Sequence, residues 1–465
     1  TMFRGIFKLP AGHMATYQNG DLKISQYWDL SFPKRDFDFR TDEETLAREV
    51  RHRFSESVKG QMLSDVPIGA FLSAGIDSTS IVSVMASESS HPVRTYTITF
   101  PRKYRVGEKT LDDPGVARRV AEGMGCDHHE IVVEPDVVSL LPKLAWHLDE
   151  PIADPAVIPA YLVCSKARES VTVLLSGVGG DELFAGYRKH YAHFWSEMYR
   201  KAPSYARMAF ESVVLKLPSM RGTSAKGVVR LLKKMARSGS LSPREAFLMN
   251  CTYMDESQRT GLMSSEMLAV SERQHPASRH YDYFDNVSES DFLNQLLYLD
   301  TKAFMTSLNL TYNDKMSMAS SLEVRVPFLD HELAEFVAWK VPPHLKIKGL
   351  LRPKTKYIFR KAMADRLPPE VLRQPKAGFG VPIDYWLTHD LRDMVDELLS
   401  ESQVRDRGFF NSAPVHRMVA EHRAGTSDWS MQIWQLLTLE IWLRTFIDRT
   451  PSAKLHDSVA TTVRA

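Results

Sequence analysis

The sequence is poor in cysteine. Its 465 residues contain three, Cys126, Cys164 and Cys251, and no two of them form a C-x-x-C pair. This scarcity argues against a disulfide framework and against a structural zinc site, and it favours a reducing compartment such as the cytoplasm. The chain also lacks an apolar run long enough for a membrane span. A formal net charge of +2 provides no chain-wide field for binding nucleic acid or a membrane.

The common nucleotide-binding signatures are missing as well. Neither G-x-x-x-x-G-K-S/T nor G-x-G-x-x-G occurs, which lowers the support for P-loop ATPases and dinucleotide folds. A serine hydrolase signature around Ser73 also fails, because Phe71 occupies the place of its first glycine. A nucleotide site in this chain would therefore need a different kind of loop.

The hydrophobic pattern changes along the chain. Short apolar runs alternate with helical patterns in its first part, the runs at 66–73, 93–100, 129–134 and 171–177 and the helices at 78–90, 113–124, 136–148 and 156–169. This alternation predicts a parallel, doubly wound α/β sheet. Beyond about residue 185, amphipathic segments such as 291–310 and 428–447 predict a large, mostly helical part. A helix at 41–58 is predicted to begin at Thr41 as N-cap.

A loop of small residues, SAGIDS at 73–78, follows the first of these strands. In an open α/β sheet, ligands bind beyond the carboxyl ends of the strands, where small residues and a helix N-terminus accommodate phosphate. Ser73, Ala74, Gly75 and Ser78 suit this role, and Asp77 beside a polyphosphate is well placed to hold Mg²⁺. An ordinary strand-to-helix turn capped by Asp77 explains the same residues, so this loop alone leaves both interpretations open.

A second loop, LLSGVGGDELFAGY at 174–187, repeats this arrangement after the fourth strand. Ser176 and Gly177 are followed by two more glycines and by the acidic pair Asp181-Glu182. A plain turn needs no acidic pair followed by an aromatic residue, so the second loop favours a functional interpretation. Two such loops at one sheet edge would face one crevice.

Together with SLEVRVPFLD at 321–330 and GLLRPKTKYIFRKAMADRLPPEVL at 349–372, these loops make the chain resemble the synthetase domain of glutamine-dependent asparagine synthetases. The resemblance covers nearly the whole chain and implies a fold of the ATP pyrophosphatase type. It divides the chain into a C-terminal remnant of a glutaminase domain at 1–35, the synthetase domain at 36–450 and a tail at 451–465. No cysteine precedes Cys126 to serve as a glutaminase nucleophile, so this chain is not expected to hydrolyse glutamine.

The resemblance also implies catalytic roles. Asp77 and Asp181 match aspartates that act with Mg²⁺ and pyrophosphate, and Lys356 matches a lysine on the pyrophosphate side. A lysine in a basic helix is otherwise more often a solvated surface charge. From these matches we expect Lys356, Asp181 and Asp77 to be catalytic, with Asp77 and Asp181 as the metal ligands.

Other matched residues have two interpretations. Ser176 and Gly177 match positions near the nucleotide, as do the small residues of the first loop. Ile98, on the second strand, is the implied neighbour of adenine, although a place in the sheet core explains it equally well. A buried ion pair that organises its loop explains Glu323 and Arg325 better than catalysis does.

The activity implied by the resemblance is ATP-dependent amidation of the aspartate side chain through a β-aspartyl-AMP intermediate. ATP and Mg²⁺ are then the cofactors, ammonia normally comes from glutamine, and a homodimer is compatible with the sequence.

Two positions depart from the family pattern. Ala74 replaces a usual glycine, so we expect a negative φ there.

Val178 is the second departure, because many family members have Asp or Glu at that position. A carboxylate there could bind the acceptor's amino group or manage the ammonia proton, and valine can do neither. Two alternatives therefore stay open. One is a related adenylating ligase that amidates or cyclises another carboxylate, and the other is a catalytically silent nucleotide-binding module.

Overall fold

The computed structural model describes residues 1–101, 104, 114–217, 226–238, 241–273, 275–349, 353–374 and 380–448. The predicted tail at 451–465 and residues 350–352 of the basic motif lie outside this part. The strands are β1 (His13–Gln18), β2 (Asp21–Gln26), β3 (Ile68–Phe71), β4 (Arg94–Thr99), β5 (Asp127–Val132), β6 (Val173–Leu175), β7 (Glu323–Arg325), β8 (Ile347–Lys348) and β9 (Lys354–Thr355).

Helices make up most of the remaining structure. In chain order they are α1 (Glu43–Met62), α2 (Ile76–Glu88), α3 (Pro114–Gly123), α4 (Val137–Leu148), α5 (Val157–Ala167), α6 (Gly180–Phe184), α7 (Arg188–Lys201), α8 (Ser204–Val214), α9 (Lys226–Ser238), α10 (Pro243–Asn250), α11 (Glu256–Leu262), α12 (Ser265–Arg273), α13 (Ser278–Asn286), α14 (Phe292–Leu299), α15 (Leu310–Met318), α16 (His331–Lys340), α17 (Pro343–Lys346), α18 (Tyr357–Ala362), α19 (Pro369–Arg373), α20 (Ile383–Thr388), α21 (Arg392–Leu398), α22 (Glu401–Arg407), α23 (Ser412–Arg423) and α24 (Ser430–Phe446). A π-helical segment, Asp300–Asn309, joins α14 to α15, and Pro327–Leu329 forms a 3₁₀ turn.

Five strands form one parallel sheet in the order β5-β4-β3-β6-β7. β3 pairs with β4 on one side and with β6 on the other, and every pairing in this sheet is parallel. The four strands expected from the apolar runs are confirmed as β3 to β6. β7 was not predicted, because its three residues lie in a motif that was interpreted as a loop.

Both faces of the sheet are covered. Val173 and Leu175 of β6 pack on one face against α1, α2 and α3, whereas Leu174 packs on the other face with Tyr96 and residues of α5. Alternate residues of one strand therefore enter different cores, as the two-residue period of a strand requires. The predicted doubly wound α/β architecture is confirmed, and the chain beyond α6 is mostly helical, as expected.

The predicted start of α1 needs a correction. Asp42, not Thr41, is the N-cap, because the Asp42 side chain accepts a hydrogen bond from the Thr45 backbone N–H. Threonine and aspartate both favour the N-cap position. Here the Asp42 side chain is the one that reaches a free N–H group in the first turn of the helix. Among the helices that the structure describes, none combines the length and apolarity needed to cross a bilayer.

Lys346, at the end of α17, is fully buried, and its amine donates a hydrogen bond to Asn294 Oδ1 at 3.1 Å. Burial lowers the pKa of this amine to about 7. An unfolded chain keeps the lysine protonated up to about pH 10.4. Because the unfolded state then binds more protons between the two values, the free energy of unfolding should rise with pH between about 7 and about 10.

A Lys346→Met variant tests this assignment. At pH 6 we expect the free energy of unfolding to increase on the order of 2 kcal/mol, because no charge remains buried, although Asn294 loses its donor. The gain should shrink as pH approaches 10. Urea denaturation measures it, with the exposed Lys340→Met as control. A gain of equal size at pH 6 and pH 10 would mean that packing, not protonation, causes it.

Candidate functional site

Two loops meet where the direction of the sheet topology reverses. From β3 the chain moves outward to β4 and β5, and it then returns to place β6 on the other side of β3. The loops that follow β3 and β6 therefore lie side by side at the carboxyl edge of the sheet. This is the place where open α/β sheets bind ligands.

The first loop joins β3 to α2, and its serine side chains organise it. Ser73 Oγ lies 2.9 Å from Ser78 Oγ and accepts a hydrogen bond from the Gly75 N–H at 3.1 Å. Gly75 is the N-cap of α2, and no side chain caps this helix end. Ala74 is not among the described residues with positive φ, so the expectation for it is confirmed. The free N–H groups at the start of α2 suit an anion.

The second loop, which leads from β6 into α6, touches the first. A Cβ atom at Gly177 would lie 2.9 Å from Asp77 Cβ, and one at Gly180 would lie 2.9 Å from Asp77 Oδ1. Glycine at these positions lets the two loops approach closely. Ser176 is buried and its backbone N–H donates to Arg325 O of β7 at 2.8 Å, which fixes the start of this loop.

Lys356 enters the crevice between the loops from a distant part of the sequence. Its Nζ atom lies 2.5 Å from Asp77 Oδ2 and 2.6 Å from Asp181 Oδ1, and the residue is 2 % exposed. The structure thus brings together the three side chains that were expected to be catalytic. Lys356 precedes α18 with φ of 53°, a left-handed conformation that is uncommon for residues other than glycine.

A group of buried phenylalanines positions these elements. Phe359 of α18 packs against Phe184 of α6 with ring centroids 4.9 Å apart and against Phe54 of α1 at 5.1 Å. Phe328 packs on Phe359 at 5.2 Å, and all four side chains are fully buried. This packing fixes α18 against α6, and it therefore sets the distance between Lys356 and Asp181.

The residues of the crevice fit a magnesium ion. Asp77 Oδ1 is buried and has no hydrogen-bond partner among the described residues, although the other oxygen of this carboxylate binds Lys356. An unsatisfied buried carboxylate oxygen is costly unless a cation or water completes it. Mg²⁺ is commonly held by one or two carboxylates together with substrate phosphates. Asp77 and Asp181 can supply the carboxylates.

A buried polar network lies behind Asp181. Glu182 Oε1 accepts hydrogen bonds from Tyr187 Oη and from Asn309 Nδ2, both at 2.8 Å. Burial raises the pKa of the Glu182 carboxyl, and the charge of Asp181 adds to the rise. Sequence reasoning missed Asn309, because its contact with Glu182 spans 127 residues and no motif marks it.

The same network continues along the π-helical segment. Asn309 is its last residue, and Asp300, its first, is fixed by Lys189 Nζ and His190 Nε2, both at 2.7 Å. Burial, the largest influence, opposes the ionisation of Asp300, but the charges and hydrogen bonds of Lys189 and His190 together outweigh it, so the pKa of Asp300 lies below its usual value. The two ends of the segment are thus anchored to α6 and α7. Helical segments of the π type are rare and frequently occur at functional sites.

Two of the remaining candidates have mainly structural contacts. Ile98 of β4 is half-buried and packs with Tyr96 and Leu174 in a core of the sheet. Arg325 Nε donates to Glu323 Oε1 at 2.7 Å, while its Nη1 donates to the carbonyls of Gln61 and Leu63 at the end of α1. The preferred structural interpretation of Arg325 agrees with these contacts, except that Glu323 is largely exposed and the pair is not buried.

A second group of ligand-type side chains lies outside the crevice. Atoms of Asp384, His422 and Asp428 all lie within 4.8 Å of one another. The Trp429 N–H donates to His422 Nδ1, so a neutral His422 carries its proton on Nε2, which faces Asp384 Oδ1 at 3.6 Å. The three side chains bring together α20, α23 and the turn before α24.

Comparison with known proteins identifies the family. The sequence model of the Asparagine synthase family matches residues 49–444, which include both loops and Lys356. The chain belongs to the asparagine synthase family. Asparagine synthetase (glutamine-hydrolysing) 1 of Bacillus subtilis is 34% identical over 435 residues, which are 93% of this chain and 64% of the relative.

Two further relatives differ in the activity that their names state. A putative asparagine synthetase (glutamine-hydrolysing) of Mycobacterium tuberculosis is 33% identical over 461 residues, which are 97% of this chain and 66% of that protein. Amidase chyE of Penicillium rubens is 27% identical over 445 residues, 88% of this chain and 63% of that protein. The chain therefore spans a little under two thirds of the length of these relatives.

Proposed function

We propose that this asparagine synthase family member activates a carboxylic acid with ATP and transfers the acyl group to ammonia, with aspartate as the leading acceptor. The contact of Lys356 with both Asp77 and Asp181 carries the proposal. These residues come from three distant segments, and they place one cation and two carboxylates beside a loop and a helix N-terminus that suit a triphosphate.

Adenylation comes first, because a carboxylate is a poor electrophile. A carboxylate oxygen attacks the α-phosphorus of ATP, the bond from that phosphorus to the bridging oxygen breaks, and pyrophosphate leaves with the electron pair. The Lys356 ammonium stabilises the negative charge that develops on pyrophosphate. A magnesium ion held by Asp77 and Asp181 would neutralise further phosphate charge there. The backbone N–H groups of the first loop and of the α2 N-terminus orient the phosphates.

Amide formation completes the reaction. The nitrogen of ammonia attacks the acyl carbon of the adenylate, AMP leaves with the electron pair, and the nitrogen loses a proton to give the amide. Aspartate would thus yield asparagine, AMP and pyrophosphate. We infer that Ser73, Ala74, Gly75, Ser78, Ser176 and Gly177 line the nucleotide side of the crevice, with Ile98 nearest the adenine.

A second acceptor class is supported by Val178. This residue lies between two glycines of the second loop, and its N–H donates to Ser176 Oγ while its side chain offers no polar atom. Amidase chyE, a protein similar to this chain over 445 residues, carries the name of a different activity. The alternative is therefore a ligase that adenylates another carboxylate and then amidates or cyclises it.

ATP–pyrophosphate exchange with ammonia omitted distinguishes these possibilities. Adenylation is reversible before the amine attacks, so labelled pyrophosphate should enter ATP only with an acid that the crevice accepts. We expect exchange with aspartate in a panel of carboxylic acids. Exchange with another acid alone would support the second class of acceptor.

The panel also tests whether the chain is an enzyme. If a fluorescent ATP analogue binds and no acid supports exchange, the chain is a nucleotide-binding module and adenylation is refuted. Ammonia should convert exchange into net formation of AMP and amide, which chromatography detects. Hydrolysis of ATP without any acid would contradict the order of steps.

We also propose that residues 36–450 form the synthetase domain and that residues 1–35 close a glutaminase domain. The hairpin of β1 and β2 has an apolar face, on which Tyr17, Leu22 and Ile24 are 73 %, 63 % and 51 % exposed. The following residues, in contrast, are fixed, since Asp29 accepts hydrogen bonds from Tyr298 and Lys302. The exposed face suits a further sheet layer from a domain that supplies ammonia.

A further inference from the structure

Arg360, one turn into α18, uses its side chain to hold backbone carbonyls around Lys356. Its Nε donates to Thr355 O at 2.9 Å, and its backbone N–H donates to Lys356 O at 2.8 Å. The carbonyl before Lys356 and that of Lys356 itself are thus fixed by the same residue. These two bonds restrain the left-handed backbone of Lys356, a conformation that most side chains avoid.

The other end of the guanidinium group ties this turn to a second segment. Nη1 donates to Leu372 O at 2.7 Å, and Nη2 donates to Gln374 O at 3.2 Å. Both carbonyls lie at the end of α19. A planar guanidinium can bridge three carbonyls of two segments in one fixed geometry, which a lysine ammonium cannot reproduce.

Burial disfavours the charged form of Arg360, whereas the carboxylates Asp77 and Asp181 favour it. The side chain therefore lies within the electrostatic field of the crevice, although its hydrogen bonds to Thr355, Leu372 and Gln374 all go to backbone carbonyls.

From these contacts we infer that Arg360 is a positioning residue, which holds Lys356 at the place where pyrophosphate charge develops. The inference rests on the proposed adenylation and adds a residue that acts through Lys356 without touching the substrate. Arg360 and Lys356 should therefore be energetically coupled. The effect of changing Arg360 should vanish when Lys356 is no longer a lysine.

A double-mutant cycle tests this coupling. Arg360→Lys keeps the charge and loses the planar fork, and Arg360→Met loses both. Each should lower the rate constant for ATP–pyrophosphate exchange about tenfold, since a small displacement of a catalytic group is costly, with less than threefold change in KM for ATP. In a Lys356→Ala background, the same changes should lower the remaining rate less than twofold.

Other outcomes would overturn the inference. Full exchange in Arg360→Lys would show that charge alone is needed. Equal fold-losses with and without Lys356, with a matching fall in Tm, would show a general structural role. Arg366→Met is the control, because this nearby arginine is exposed, its side chain donates a hydrogen bond to Ser87 Oγ, and it should behave as wild type.

Binding of magnesium pyrophosphate, measured by calorimetry, separates failure of this inference from failure of the proposed function. The four proteins of the cycle should show the same non-additive pattern in Kd, even if wild type catalyses no exchange with any acid. Additive effects on Kd would refute the positioning role, whether or not adenylation occurs. Absence of binding to wild type would refute both proposals.

Discussion

Replacing Lys356 with Ala is expected to lower the rate of ATP–pyrophosphate exchange about a hundredfold. The Lys356 ammonium contacts both carboxylates of the crevice and is held there by the packing of α18. Loss of one preorganised charge at a developing anion typically costs on the order of 3 kcal/mol. Initial exchange rates at saturating ATP and acid measure this effect directly.

The same variant should also lose stability. Asp77 and Asp181 would face each other without the ammonium between them, and removal of one partner from a buried ion pair costs roughly 3 kcal/mol. Rates should therefore be compared at a temperature where circular dichroism shows both proteins folded. Lys354→Ala, an exposed lysine two residues away, should keep full activity. Normal exchange in Lys356→Ala would refute the catalytic assignment.

Gly186→Ala is expected to reduce the rate of ATP–pyrophosphate exchange as severely as Lys356→Ala does, although the new side chain is a single methyl group. A Cβ atom at residue 186 would lie 1.8 Å from Asp181 Oδ1 and 2.2 Å from Lys356 Cε. Neither short contact is tolerable, so the ends of the Asp181 and Lys356 side chains must move from their places. We expect a loss of about a hundredfold, because a displaced cation no longer meets the charge that develops on pyrophosphate.

A matched control separates this steric effect from the general effect of removing a glycine. Gly60 lies inside α1, and a Cβ atom there meets nothing within 4 Å. Gly60→Ala should therefore keep full exchange, and it should stabilise the helix by up to about 1 kcal/mol. If both alanine variants exchange normally, the close packing of Gly186 is not required for catalysis.

Local sequence patterns predict the central sheet well. The apolar runs that form β3 to β6 are bounded by turn residues and alternate with segments of helical periodicity. Strands connected through helices in this way are expected to be parallel. β7 was missed because three residues are too few to show the alternation of apolar and polar side chains that is typical of a strand. The N-cap of α1 was misplaced by one residue because Thr41 and Asp42 have the same preference and the sequence does not reveal which N–H groups are free.

The candidate site was less accessible to such reasoning. The small residues and acids of the two loops indicate phosphate and metal chemistry by their types and spacing. Lys356, however, was selected only by its resemblance to a family motif, because nothing local distinguishes it from Lys354. Asn309 and the carbonyl contacts of Arg360 could not be predicted, since they depend on packing between segments that are far apart in the sequence.

The wide separation of residues 77, 181 and 356 along the chain has a consequence for protein synthesis. A chain emerging from the ribosome exposes both aspartates well before the lysine that balances their charge. Until residue 356 has been made, no ammonium lies between the two carboxylates and the proposed site is incomplete. We therefore expect a chain that ends before Lys356 to lack the proposed adenylation activity.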